Sequence, residues 1–213
     1  MPTLADMKTR VREAAGRGNS LDSFIPFVLE DAVRYIQGQH TFKEMEQWVE
    51  FQLDPNDSLP DRIGLPSDVK HIYWIRLKDE DSWVWLVQVW DPKNIIQETG
   101  LPQGYWMDGR DQLVLDATPD KVYDGELYYA SLEPFPSDDN ADHWLFNKAP
   151  QLCVAGAMIW LGAYMRETEG HIYGMWKSIF ERELRDLIMQ DEELRASSNH
   201  DWQMNDGYKM PWE

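Results

Sequence analysis

Four carboxylates, Asp108, Asp111, Asp116 and Glu126, cluster along a stretch rich in strand-forming residues, with Trp83, Trp85 and Trp90 shortly before them. Two carboxyl groups flanking a sugar that is held on aromatic rings is the arrangement that cleaves glycosidic bonds. A chain with 38 Asp and Glu and 11 Trp has the material for it. The same carboxylates also sit at hairpin turns, where Asp is an ordinary solvated residue, and that reading is the simpler one. The tryptophans read first as the core of a β region and second as sugar platforms.

Other chemistry finds less support. His40, His71, His143, His171 and His200 are scattered, with no HxxxH or HxH pair and no ligand spacing on one element. Cys153 is alone, which excludes an internal disulfide, and it lies in the apolar run PQLCVAGAMIW as a buried small thiol. No GxSxG elbow, phosphate-binding GxxxxGKS loop or GxGxxG turn occurs. No catalytic residue, metal ligand or cofactor is therefore expected. The chain end, NHDWQMNDGYKMPWE, is different: it is too polar to fold on itself, yet carries Trp202, Met204, Tyr208, Met210 and Trp212. Aromatic side chains concentrate interface energy, so these five are expected to dock onto a partner or a neighbouring copy.

The elements around these residues are legible from periodicity. Leu4, Met7, Val11 and Ala14 repeat at helical spacing behind Thr3, a natural N-cap, and Gly16 and Gly18 end the pattern. A second helix is predicted from about Asp22 to Gln37, with Phe24, Val28, Leu29, Ala32, Val33 and Ile36 on one face. Asp22 or Ser23 would cap it, and Pro26 would sit harmlessly in its first turn. By the same device Asn147 would cap a third helix, with Pro150 in its first turn, reaching to about Arg166. Its small residues, Ala155, Gly156, Ala157, Gly162 and Ala163, imply close approach by another helix. A fourth helix, from about His171 to Arg195, places Ile172, Met175, Trp176, Ile179, Leu184, Leu187 and Ile188 on one side.

Strand patterns fill the middle. HIYWIRL and SWVWLVQVW flank the charged turn KDED, and the second run is apolar enough to be covered on both faces. Asp108-Gly109 supplies a hairpin turn. In VYDGELYYASL, Tyr123, Leu127 and Tyr129 share a face and Gly125 marks a bulge. The expected fold is α+β: a helical bundle from residues 1–44 and 140–195, an inserted, mainly antiparallel β domain at 45–139, and an extended C-terminal docking tail at 196–213. The net charge of −18, with no basic patch, disfavours nucleic-acid binding. No apolar run is long enough for a membrane span, and MPTLADMKTR lacks the apolar core of a secretion signal.

The order of these pieces resembles a family of bacteriophage head-to-tail adaptor (connector, neck) proteins. Ile25, Pro26, Phe27, Glu30 and Arg34 occupy the places of that family's second-helix motif, and Leu65, Pro66, Asp68 and Val69 those of a turn entering a strand. DQLVLDATP and GELYYASLEPF are similar to its later strands. Trp144, Leu145, Pro150, Leu152, Gly156 and Ala157 match its central helix, and YGMWKSIFERELRDL its closing one. The likeness runs over about residues 4–195. Two departures stand out, a longer QLDPNDSLPDR stretch and a heavier tryptophan load in the insertion.

The resemblance implies a structural virion component in the neck, assembled in the host cytoplasm. It implies a homo-oligomeric ring, twelve-fold in expectation, below the portal protein, joined to tail nozzle or tail fibre proteins and extending a channel that genomic DNA traverses without specific binding. A closed ring needs two different complementary faces; Arg10 and Arg12 of the first helix and Arg182, Arg185 and Asp186 of the fourth are the candidates for them. The alternatives are a virion-associated glycan hydrolase using an Asp/Glu pair and a carbohydrate-binding tail module.

Overall fold

Helix α1, Leu4–Ala15, starts on a reciprocal cap: the Thr3 hydroxyl accepts from the Asp6 amide at 3.3 Å, and the Asp6 carboxylate accepts from the Thr3 amide at 2.9 Å. These bonds satisfy N–H groups that a helix start otherwise leaves open. The amides of Leu4 and Ala5 go instead to the carbonyls of Ala141 and Asp139, and Lys8 pairs with Asp139 at 2.5 Å. The acidic 137–142 stretch thus holds the start of α1. Thr3→Ala is expected to cost about 1 kcal/mol, read as a lower urea midpoint with an unchanged slope. Leu4, Met7 and Val11 are buried, and Gly16 ends the helix with φ 64°, in the left-handed region. The computed structural model describes residues 1–89, 98–109, 111–166 and 171–205.

Helix α2, Ile25–Gln39, buries Val28, Leu29, Ala32, Val33 and Ile36 as its periodicity requires. Its cap differs from expectation. Phe24 takes the N-cap position with no side-chain bond, because a 3-10 turn at Gly18–Leu21 leads into the helix and the Phe24 amide bonds the Leu21 carbonyl. Asp22 accepts from Arg12 Nε at 2.7 Å instead. The third predicted helix is two. Helix α3, Trp144–Lys148, is capped by His143, whose Nδ1 accepts from the Leu145 amide at 3.1 Å. The chain breaks at Ala149 (φ −138°, ψ 56°), and α4 runs Pro150–Tyr164. Proline disfavours helical geometry in the residue before it, so Asn147 lies inside α3 and caps nothing.

Helix α5, His171–Asn205, is 35 residues long and extends ten residues past the predicted end. The stretch ASSNHDWQMN has no glycine or proline to stop it, so residues 196–205 are helical rather than extended. Phe180, Leu187 and Asp191 form its buried line, whereas Ile172 is 67% exposed and Met175 is exposed too. Helices α2, α4 and α5 meet at Gly156, where an added Cβ would lie 2.9 Å from the Ala32 Cβ and 3.1 Å from Phe180 Cε2. The close approach predicted from the small residues of α4 is real at this position.

The strands are β1 (Glu46–Leu53), β2 (Arg62–Gly64), β3 (Val69–Asp79), β4 (Ser82–Trp85), β5 (Val87–Gln88), β6 (Glu98–Thr99), β7 (Gly104–Asp108), β8 (Gln112–Leu115), β9 (Ala117–Thr118) and β10 (Tyr123–Ser131). One antiparallel sheet has the order β1-β10-β3-β4; a second, β2-β8-β7-β5, is antiparallel except where β5 joins β7, and β6 pairs with β9. Leu53, Ile75, Leu77, Tyr123, Leu127 and Tyr129 of the first sheet pack with Ile63, Tyr105, Leu113 and Leu115 of the second. With 43% helix and 27% strand, the fold is α+β with an inserted β domain. The chain divides into two compact units, Met1–Glu44 with Glu133–Glu213, and Met45–Leu132.

Two expectations about the strands fail for identifiable reasons. SWVWLVQVW is not one strand covered on both faces. It leaves the first sheet after Trp85, buries Leu86, and joins the second at Val87, whose amide bonds the Gln103 carbonyl. Trp85 and Val87 are exposed, and Trp90 lies outside the described residues. Gly125 is not a bulge either. It pairs in register with Phe51 and Leu77, and an added Cβ would sit 2.4 Å from Phe51 Cζ, so the missing side chain makes room for the Phe51 ring. The register of β10 on β3 slips elsewhere, between Tyr128 and Tyr129, leaving Tyr73 as the extra residue.

Candidate interaction surfaces

The four carboxylates do not converge. Asp108 on β7 pairs with Arg62 at 2.8 Å, and Asp116 accepts from the Gln103 amide at 2.9 Å. Asp111 is exposed in the β7–β8 turn, and Glu126, on the other sheet, pairs with Arg76 at 2.5 Å. Glu126 and the turn carboxylates therefore face different surroundings. Among the described residues no three His, Cys, Asp or Glu side chains are grouped as metal ligands. Cys153 is fully buried, and burial pushes its thiol up to about 12, so it stays protonated.

What the β unit does assemble is aromatic. Period-two alternation puts Trp48, Glu50, Trp74, Arg76, Trp83, Trp85, Glu126 and Tyr128 on the outward face of the first sheet, opposite its core residues. Cross-strand pairing sets Trp48 and Trp74 on either side of Tyr128, and Arg76 between Glu126 and Trp85. The extra residue in β3 lets consecutive rings share this face: Tyr73 stacks on Tyr128 at 4.9 Å, and Trp74 lies 5.4 Å from it. The Arg76 guanidinium lies 5.3, 5.0, 4.2 and 5.5 Å from the rings of Trp48, Trp74, Trp83 and Trp85. The Tyr128 hydroxyl donates to Glu46. Trp83 and Trp85, expected in the core, are thus rings of a surface cluster. Their i, i+2 spacing, repeated by Trp74 and Arg76, is the sequence signal for a shared face.

The helical unit has its own organisation. His143 is buried, and its burial pushes the imidazole down to about 4, so it remains neutral and its Nδ1 is free to accept as the α3 cap. Asp191 accepts from Arg195 Nε at 2.7 Å and the Lys43 amide at 2.7 Å, and lies 2.9 Å from His40 Nε2. On the surface, Phe27 and Tyr35 of α2 and Trp160 and Tyr164 of α4 are exposed; Tyr164 lies 4.6 Å from Phe24 and Trp160 lies 6.4 Å from Tyr35. Of the expected ring-contact residues, Arg10, Arg182, Arg185 and Asp186 are exposed, Arg182 beside Glu183, while Arg12 binds Asp22 within its unit. Trp202 and Met204 lie on the last turns of α5, their side chains beyond the described ones. Tyr208, Met210 and Trp212 lie outside the described residues.

Residues 2–203 match the family described as SU10 adaptor protein. The chain belongs to that family. It is a phage adaptor, consistent with the head-to-tail resemblance of its motifs. No curated protein sequence matches it. For an adaptor, the relevant features of the fold are surfaces, and each of its two units presents an aromatic one. None of the adaptor's helices, among the described residues, is long and apolar enough to cross a membrane.

Proposed function

We propose that the protein is a structural joint of the virion neck: copies close into a ring beneath the portal, the helical unit contacts neighbours and portal, and the β unit faces the tail nozzle or tail fibres. The observation that carries this reading is the set of exposed aromatic side chains on α2 and α4 of the helical unit, among them Phe27 at 65% and Tyr164 at 61% exposed. Large exposed apolar groups on a soluble acidic chain mark places where another surface sits. Arg10, Arg182, Arg185 and Asp186 supply the charged rim for contacts between different faces, which ring closure requires. A net charge of −18 suits a channel wall that must not hold phosphate.

The end of the chain is the portal anchor in this reading, with Trp202, Met204, Tyr208, Met210 and Trp212 as contact residues. Deleting residues 198–213 removes all five and leaves the Asp191–Arg195 contacts in place. The shortened protein is expected to keep its helical circular dichroism, allowing for the lost turns, and to bind purified portal rings about a hundredfold more weakly, the loss expected from two or more interface anchors. Undiminished binding would refute the anchor. Absence of the full-length protein from purified particles would refute the neck assignment itself.

A further inference from the structure

We propose that the outward face of the β1-β10-β3-β4 sheet docks an arginine-rich segment of a partner protein. The inference rests on the adaptor reading and gives the chemistry of one of its contacts. Tryptophan, tyrosine and arginine are the residues in which interface energy concentrates, and this face is built of them. It is also held ready. Arg76 is fixed by Glu126 and by four rings, and Tyr128 by Glu46, so docking orders few side chains. Trp48 is still 48% and Trp85 46% exposed, at two sides of the cluster, so ring surface remains for an incoming group.

Charge selects the occupant. Residues 45–132 hold 17 Asp and Glu against 7 Lys and Arg, a net of −10. A shallow depression beside Arg76 is lined by Glu50, Gln52, Lys78, Trp83, Asp124 and Glu126. Nucleic acid is repelled by such a surface, and pairing of this face with the same acidic face of a second copy is disfavoured for the same reason. A sugar needs rings lying flat in one platform. Here Trp48 meets Trp74 at 84° and Trp74 meets Trp85 at 74°, edge to face, with the resident guanidinium among them. Guanidinium groups fit on both counts: they stack on tryptophan, as Arg76 already does, and pair with carboxylates such as Glu50 and Asp124.

The test is a titration of the full-length protein, followed by tryptophan fluorescence, with a short synthetic arginine–glycine peptide and its citrulline counterpart, which keeps the shape without the charge. The arginine peptide is expected to bind and the citrulline peptide not. Trp48→Ala with Trp85→Ala leaves the net charge at −18 and is expected to weaken arginine-peptide binding about tenfold; Glu50→Gln, at an exposed position, is expected to leave the fold intact and to weaken it about threefold. An affinity unchanged in both variants would show that only diffuse charge acts, and would overturn the proposal. So would binding of an uncharged chito-oligosaccharide to this face, or self-association that the tryptophan variant abolishes. Both variants are expected to join portal rings normally; failure of the unaltered protein to do so would sink the neck assignment while leaving the peptide result standing.

Discussion

Asp191→Ala is expected to destabilise the helical unit by about 3 kcal/mol and to free the latter part of α5. Asp191 is 4% exposed and holds three groups at once: Arg195 Nε, the Lys43 amide and His40 Nε2. Arg195 also donates to the Thr41 carbonyl at 2.8 Å, so the carboxylate and its partners tie α5 to the segment that follows α2. Removing one member of a buried charged network leaves the others without their designed partner, which costs about 3–5 kcal/mol. The lower end applies because Arg195 and His40 keep partial contact with water. Urea unfolding gives the magnitude, and amide exchange over residues 185–197 should locate the change.

Acid should do part of what the substitution does. Burial pushes the Asp191 carboxyl up, but hydrogen bonds from Arg195, the Lys43 amide and His40 outweigh it and hold the group below the usual carboxylate range. A carboxyl whose folded pKa is depressed stabilises the fold fully above its unfolded pKa, and that contribution disappears as pH falls through the folded value. Stability measured from pH 5 down to pH 2, values that bracket the ordinary Asp pKa of about 3.9, should therefore fall more steeply for the unaltered protein than for Asp191→Asn. Parallel curves would show that the carboxylate's charge contributes nothing.

This cluster marks the boundary of what the sequence discloses. Features set by a few neighbouring residues were readable: the Thr3 cap, Pro26 and Pro150 in first turns, the Asp108-Gly109 hairpin and the small residues of α4. The His40–Asp191 contact joins positions 151 apart, and no local pattern announces it. The aromatic face was hidden for another reason. SWVWLVQVW is apolar in both phases, and the extra residue at Tyr73 shifts the phase of β3, so alternation alone could not separate Trp83 and Trp85 from the core. Apolar periodicity fades near Arg195, so the pattern alone ends α5 there, although nothing in ASSNHDWQMN breaks a helix and α5 continues to Asn205. The family motifs, spread over nearly the whole chain, carried the functional reading where single residues did not.

At Gly156 packing and propensity oppose each other, and the sign of the outcome measures how tightly the three helices meet. Glycine to alanine within a helix normally gains about 1 kcal/mol. Gly174, on α5 with nothing within 4 Å of an added Cβ, should show that gain. At Gly156 the same methyl would meet the Ala32 Cβ at 2.9 Å and Phe180 Cε2 at 3.1 Å. The Phe180 ring can turn aside, but the Ala32 Cβ is fixed to the α2 backbone and yields only if the helix moves. Overpacking of this kind costs about 1–3 kcal/mol, so Gly156→Ala should be net destabilising. Gly156→Val adds two more methyl groups and a stiff χ1, and is expected to lose about 3 kcal/mol or more. Thermal unfolding of the Gly156→Ala, Gly156→Val and Gly174→Ala proteins decides it: a Gly156→Ala protein as stable as Gly174→Ala would mean that α2 and α4 stand apart at this crossing, and the helical unit would lack the contact that joins its three long helices.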